Sequence, residues 1–281
     1  MKIKDNLNIS GELLMKSGSP DSRLEAEILL RHVLKIDRAT MFSNLENILD
    51  SKQENDIAEL VQRRLANEPL SYITGTREFY SLDFQITSDV LIPRQETETL
   101  VDEVIKIAKE NPLKIVDVGT GSGAIAIALA VNLPLAKIIA TDISIDALHV
   151  AESNTKMNDV FSRINLKQGN LLDVLDEKVD VIVSNPPYIP SDQIEHLQPE
   201  VKKEPHIALD GGSDGLEYIR QLIGNCSEKL NDNGHIFIEI DPSQSEEVLE
   251  IADTHFPDAR TAIIKDLSQD NRVLSIHLLK S

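Results

Sequence analysis

An open, doubly wound α/β sheet, mostly parallel and seven-stranded, behind a small helical N-terminal domain is the architecture this sequence predicts. Three observations carry the expectation. From Pro112 onward, short apolar runs alternate with helical stretches in the order strand, turn, helix, which is the pattern of a parallel sheet covered on both faces. A glycine-rich turn, Asp117-Val118-Gly119-Thr120-Gly121-Ser122-Gly123, joins the first of those strands to a helix beginning near Gly123. Asn185-Pro186-Pro187-Tyr188 then follows the apolar strand 179–184, at the carboxyl end where such sheets bind their ligands.

The first seventy or so residues read as helical. Ser19-Pro20 suits a helix start with proline at the first helical position, followed by Leu24, Ile28, Leu29, Val33 and Leu34 at helical spacing. Ser51-Lys52-Gln53-Glu54 suits a capping box opening a second helix, whose inner face is Ile57, Leu60, Val61 and Leu65. Asn67-Glu68-Pro69 ends it. Leu82, Phe84 and Ile86 alternate with polar residues, as in one half-buried arm of a hairpin. Leu91-Ile92-Pro93-Arg94 leads into a helix over 96–110. Strands are then expected at 114–118, 137–141, 164–167, 179–184 and 235–240, with an edge hairpin from 260–265 and 272–279. The expected domains are 1–75, helical and substrate-docking; 76–95, a hairpin linker; and 96–281, the catalytic unit.

Composition narrows the partners. Of 281 residues, 28 are Lys or Arg and 47 are Asp or Glu, a net charge of −19. Nucleic-acid affinity leans on clustered cations, so no direct nucleic-acid partner is expected. The single cysteine, Cys226, excludes an internal disulfide framework and a multi-cysteine zinc site, and it is read as packing within a helix. His149, His196 and His206 are isolated, and no metal is expected. No apolar run approaches the roughly 18 residues of a membrane helix, and residues 1–5 have no signal core. A cytoplasmic monomer is the expectation.

The glycine turn suits a nucleotide-like cofactor, with backbone N–H groups approaching the ligand from the helix start. Asp142, about twenty residues on at the next strand end, is placed to bind a ribose diol. Both features fit NAD as well as S-adenosylmethionine. Two further features favour methyl transfer. Asp117, two residues before the first glycine, can meet a cationic amino-acid end, and hydride chemistry has no use for Asn-Pro-Pro-Tyr. Prolines fix φ and lack N–H groups, so the Asn185 side chain and nearby carbonyls become stiff acceptors for an NH2 group, with Tyr188 a flat wall against a planar substrate. Asn170, after the third strand, lies where an adenine would reach. Glu96, Glu98 and Glu204 are read as caps or ion-pair partners, and Arg94 as a clamp at the domain junction.

Leu91-Ile92-Pro93-Arg94-Gln95-Glu96-Thr97-Glu98, the glycine turn, Asp142-Ile143-Ser144 with Ala147-Leu148, and Ser184-Asn185-Pro186-Pro187-Tyr188-Ile189 together resemble the peptide chain release factor glutamine N(5)-methyltransferases. Glu204-Pro205 and Ala208-Leu209-Asp210-Gly211-Gly212-Ser213-Asp214-Gly215-Leu216 extend the resemblance over nearly the whole chain. It implies a class I S-adenosylmethionine-dependent, Rossmann-like fold and a protein substrate: the glutamine of a Gly-Gly-Gln loop in release factors. It also implies cofactor contacts from Gly119, Thr120, Gly121, Ser122, Gly123, Asp142 and Asn185, and a substrate amide held by Asn185, Pro186, Pro187 and Tyr188. Asn185, Pro186 and Tyr188 are the implied catalytic set. The chain departs from the family pattern at Gln95, Asn170, Ile240-Asp241-Pro242-Ser243-Gln244 and Leu267-Ser268-Gln269. A glutamine methyltransferase for a ribosomal protein, and on the glycine turn alone an NAD-dependent oxidoreductase, are the alternatives.

Overall fold

The computed structural model describes residues 1–108 and 112–279, which form two compact units. The first comprises Met1–Gly75 with Gln198–Lys203, and the second Thr76–Leu197 with Glu204 onward.

The first unit is built from α1 (Ile3–Lys16), α2 (Ser22–Leu34), α3 (Arg38–Ser43), α4 (Ser51–Leu65) and α5 (Leu70–Thr74). Leu7, Leu29, Leu30, Met41 and Ile57 are among the side chains that form its core. Helix α2 begins two residues beyond Pro20, and Leu24 is exposed. Its inner face runs through Ala26, Leu29 and Leu30, with Val33 and Leu34 packed against the same core, and Glu25 and Glu27 are buried beside arginines. The capping box of α4 lies one residue earlier than expected: Asp50 Oδ1 accepts from Gln53 N at 2.8 Å and Gln53 Oε1 from Asp50 N at 3.0 Å. An ionised Asp offers the helix N-terminus a stronger acceptor than Ser51 does. Arg64 on α4 is buried, with both Glu25 oxygens within 3.0 Å and Glu200 Oε1 at 2.8 Å.

The second unit opens with the hairpin β1 (Thr76–Phe79) and β2 (Leu82–Gln85). A 3-10 turn at Gln95–Thr97 precedes α6 (Glu98–Ala108), and the expected helix end at 109–110 lies outside the described residues. The chain then alternates β3 (Lys114–Val118), α7 (Ala124–Asn132), β4 (Lys137–Asp142), α8 (Ile145–Met157), β5 (Ile164–Gln168) and β6 (Val179–Ser184). After α9 (Glu217–Lys229) come β7 (Leu230–Glu239), α10 (Ser245–His255), β8 (Arg260–Lys265) and β9 (Asn271–His277). The seven strands run β5-β4-β3-β6-β7-β9-β8. All pairings from β5 to β7 are parallel, and β9 and β8 add an antiparallel edge.

Parallel strands are covered on both faces, which is why β3 and β6 are apolar almost throughout and why α7 is buried from Ala124 to Ala130. Strand β7 starts five residues before the expected His235. The stretch 231–234 is a bulge, and the regular ladder with β6 resumes at His235 opposite Val181. Cys226 lies in the core between α9 and the sheet, where burial pushes its thiol pKa up and leaves a packing role.

Candidate active site

Strand order reverses between β3 and β6, and this topology assembles the site. Val118 and Ser184 are register partners at the two strand ends, joined by Ser184 Oγ donating to Val118 O at 2.8 Å. Gly119 and Asn185 therefore leave the sheet side by side. Asp142 ends β4 and Asn170 follows β5, so the carboxyl edge presents Asn170, Asp142, the glycine turn and Asn185 in spatial order. They line one cleft, closed further by Leu91, Ile143, Ile207 and Tyr218.

Asp142 is partly buried, and its two oxygens already accept from Gly121 N at 2.8 Å and Ser144 N at 2.9 Å. Burial raises its pKa while those N–H groups hold it down. A carboxylate anchored in this way keeps lone pairs aimed into the cleft for hydroxyl donors. The glycine turn behaves differently from expectation. Gly119 N and Thr120 N both donate to Thr141 O at 2.9 Å, Gly121 N serves Asp142, and Gly123 N donates to Thr120 O at 2.8 Å. With these donors engaged inside the protein, the turn is poorly equipped to cradle a pyrophosphate, which weighs against a dinucleotide.

The turn is instead shaped for close approach. Gly123 has φ +82°, and a Cβ there would stand 3.1 Å from Ile127 Cδ1 and 3.3 Å from Ala151 Cβ. Thr120, Ser122 and Gly123 sit behind the lining of the cleft. Thr120 donates to Asp117 Oδ2 at 2.6 Å, and Ser122 O accepts from the fully buried Asn154, which also holds both backbone groups of Gln85 in the hairpin. Asp117 is sealed from the cleft: its Oδ2 also accepts from Ala126 N at 3.2 Å, its Oδ1 has no partner, and burial pushes its pKa up to about 7. Its geometry is that of an acid bracing the turn, not one meeting a ligand cation.

Asn185, Pro186 and Pro187 line the cleft. Asn185 Nδ2 donates to Thr97 Oγ1 at 3.2 Å, leaving Oδ1 as the acceptor on the cleft side. Tyr188 packs against the sheet core, with its hydroxyl donating to Glu239 Oε1 at 3.3 Å, so it supports the loop from behind and does not wall the cleft. Asn170 lines the cleft, and its carbonyl accepts from Asp173 N at 3.0 Å, closing a turn.

The other motifs brace this arrangement. Glu204 is buried and accepts from Ile92 N at 3.0 Å and Arg94 Nη2 at 2.5 Å, pinning the cleft-lining segments around Leu91 and Pro205. Arg94 thus clamps two segments of the second unit, and Glu98 accepts from Tyr80 N at 2.8 Å. Ile189 and Asp210 form a bridge, Gly211 N donates to Ile189 O, and Gln244 Nε2 donates to Tyr188 O at 3.0 Å. Gln244, one of the departures, therefore holds the backbone of the Asn-Pro-Pro-Tyr loop. Thr97 and Glu239 escaped the sequence reading. The available signal for Glu239 was an acid directly after the apolar run Ile236-Phe237-Ile238.

Known proteins resemble the chain along its length. The PrmC N-terminal domain family model matches residues 7–75, and that of the Methyltransferase small domain matches 95–201. A release factor glutamine methyltransferase of Geobacter sulfurreducens is 42% identical over 263 residues, covering 92% of each chain. One from Coxiella burnetii is 43% identical over 244 residues, covering 86% of each. A solved methyltransferase from Pyrococcus furiosus, 18% identical, superposes with a TM-score of 0.54 over 70% of this chain and 89% of its own, a likeness of fold.

Proposed function

The chain belongs to the release factor glutamine methyltransferase family, and from that premise we propose that it methylates the side-chain amide nitrogen of the Gly-Gly-Gln glutamine of peptide chain release factors, in the cytoplasm. The cofactor of the family is S-adenosylmethionine, and the residues present fit it. Asp142 offers anchored lone pairs to a ribose diol, Asn170 offers its side chain to an adenine, and the side-chain-free turn at Gly119 and Gly121 permits close approach. When bound, it supplies an electrophilic methyl on a sulfonium.

An amide nitrogen is a poor nucleophile because its lone pair is delocalised into the carbonyl. Alignment, more than base strength, is what the site must provide, and ideal alignment is worth roughly 7–11 kcal/mol. Asn185 Oδ1 and the Pro186 carbonyl each accept one proton of the substrate NH2, and Pro187 stiffens the loop. As the nitrogen becomes positive, both bonds strengthen, which stabilises the transition state selectively. Once the new N–C bond has formed, the nitrogen gives up one of its two protons to solvent water, leaving the neutral N-methyl amide. Thr120, Ser122 and Gly123 maintain the turn, and Tyr188 maintains the loop.

The observation that carries this reading is the Asn185 amide, held at the cleft with its acceptor end available. The test is transfer of labelled methyl to a purified release factor, beside a copy whose Gly-Gly-Gln glutamine is changed. Label is expected in the normal factor only, and an Asn185→Ala protein should lose about a hundredfold in turnover at saturating cofactor. Label in both factors, or normal turnover in the variant, would refute it.

A further inference from the structure

The outer edge of the hairpin meets a side chain where a further strand would lie. Strand β2 pairs with β1 on one side. On the other, Asn154 of α8 serves both backbone groups of its last residue: Oδ1 accepts from Gln85 N at 2.7 Å, and Nδ2 donates to Gln85 O at 3.0 Å. The second proton of the same NH2 goes to Ser122 O, in the glycine turn, at 2.8 Å. Asn154 is fully buried, and a side-chain amide has one carbonyl and two N–H protons, each of which here has its partner. The flipped amide would set Oδ1 against two carbonyls and the NH2 against the Gln85 N–H, so burial permits one orientation.

Beyond Gln85 the chain lies in neither helix nor strand until the turn at Gln95. Asp89, Val90 and Leu91 of this strap line the cleft together with Asp142 and Asn185. Buried side chains fix the strap at both ends: Asn154 at Gln85, and Glu204, whose Oε2 accepts from Ile92 N at 3.0 Å. Ile86 and Val90 are buried between them. A segment this short, held at both ends, has little freedom, so the placing of its ends decides where the cleft wall stands. The downstream anchor leads to the cleft-lining Pro205, and the upstream anchor leads to the glycine turn.

We propose that Asn154 is a positioning residue for the transfer: it sets the strap that walls the cleft from the same turn that receives the cofactor, so both reactants are placed from one frame. The proposal rests on the functional reading above in taking the strap to meet the protein substrate. Transfer to a weak nucleophile depends on alignment, and misplacing a reacting group by about 1 Å can cost roughly a hundredfold in rate. The link has a consequence outside catalysis. A ligand seated on the glycine turn restrains Ser122, then Asn154, then Gln85, although neither Asn154 nor Gln85 lines the cleft.

The full-length protein is compared as wild type, Asn154→Ala and Asn158→Ala. Asn158 Nδ2 donates to Asp83 O at 3.1 Å, so its loss loosens the same hairpin from the same helix without touching the glycine turn. With a release factor as substrate, Asn154→Ala should lower kcat/KM at least about tenfold and Asn158→Ala less than about twofold. The calorimetric Kd for S-adenosylmethionine should stay within about threefold in both, because Gly119, Thr120, Gly121 and Gly123 keep their own bonds. Independently of activity, hydrogen exchange at the Gln85 N–H is followed by NMR with and without S-adenosylhomocysteine, the cofactor lacking its methyl. The ligand should slow that exchange at least about threefold in wild type and in Asn158→Ala, and leave it unchanged in Asn154→Ala. Should Asn154→Ala fail to fold by circular dichroism, Asn154→Ser takes its place, and the wild-type exchange result stands without either. An Asn154→Ala protein whose kcat/KM matches that of Asn158→Ala, or a wild-type Gln85 N–H indifferent to S-adenosylhomocysteine, overturns the proposal. Failure of the wild type to methylate any release factor overturns the functional reading instead and leaves the exchange measurement to decide the role of Asn154.

Discussion

At the end of β3, the Asp117 carboxyl holds the glycine turn by one oxygen and has no partner for the other. Burial pushes its pKa up to about 7 from the ordinary 3.8. A carboxyl raised in this way binds its proton more tightly in the folded than in the unfolded chain. The folded state therefore loses stability as pH climbs from the ordinary carboxyl range through about 7. Asp117→Asn removes that titration and keeps an acceptor for Thr120. Its melting temperature, measured against wild type from pH 5 to pH 8, should become progressively more favourable to the variant as pH rises. Parallel curves would show that the carboxyl does not titrate there. The same aspartate had looked like a partner for a cation. Its spacing from the glycines was legible, but the direction in which its side chain points was not, because a residue at a strand end can face either the cleft or the core.

Among elements, the segment Asp210 to Leu216 shows why its glycines are needed. Gly215 has φ +75°, and a Cβ on it would lie 2.3 Å from Tyr188 O and 2.7 Å from Gln244 Nε2. The segment packs backbone to backbone against the Asn-Pro-Pro-Tyr loop, with no room for a side chain between them. Gly215→Ala should destabilise the protein by more than about 1 kcal/mol and displace the loop. The expected kinetic result is a kcat at least about tenfold lower with S-adenosylmethionine affinity little changed. Unaltered kcat would show that the segment does not position the loop. Helix boundaries show a smaller effect of the same kind. Capping boxes at Asp50 and at Ser51 are both plausible from residue types, and the backbone chose the charged one.

At the scale of the whole chain, Arg64 shows contacts between residues far apart in sequence. It is buried against Glu25 and also meets Glu200, 136 residues away. Removing one partner of a buried pair typically costs about 3–5 kcal/mol, whereas an exposed carboxylate contributes roughly 0–1. Glu25→Ala should therefore destabilise the helical unit severely and Glu200→Ala slightly, since Arg64 keeps both Glu25 oxygens. The chain has no tryptophan, so far-UV circular dichroism in urea is the suitable readout. Equal losses in the two variants would show that Glu200 is as necessary as Glu25. No helix among the described residues is long and apolar enough to cross a membrane.

The sequence by itself determined the sheet class, the order of its strands and helices along the chain, and the family. Those follow from local periodicity and from short motifs whose residues act within a few positions of one another. Asn185, Asp142 and the glycine turn were identifiable because each sits at a strand end, where position along the chain implies position at the cleft. Only the tertiary structure decided which loop donors are already engaged, that Asp117 and Tyr188 face inward, and that Thr97 stands behind Asn185 and Glu239 behind Tyr188. Those facts depend on the strand reversal between β3 and β6 and on the contacts of β7, which bring residues 88 and 51 positions apart within hydrogen-bonding distance. Sequence spacing carries no record of such pairings, since each is the joint product of register, helix packing and side-chain rotamer.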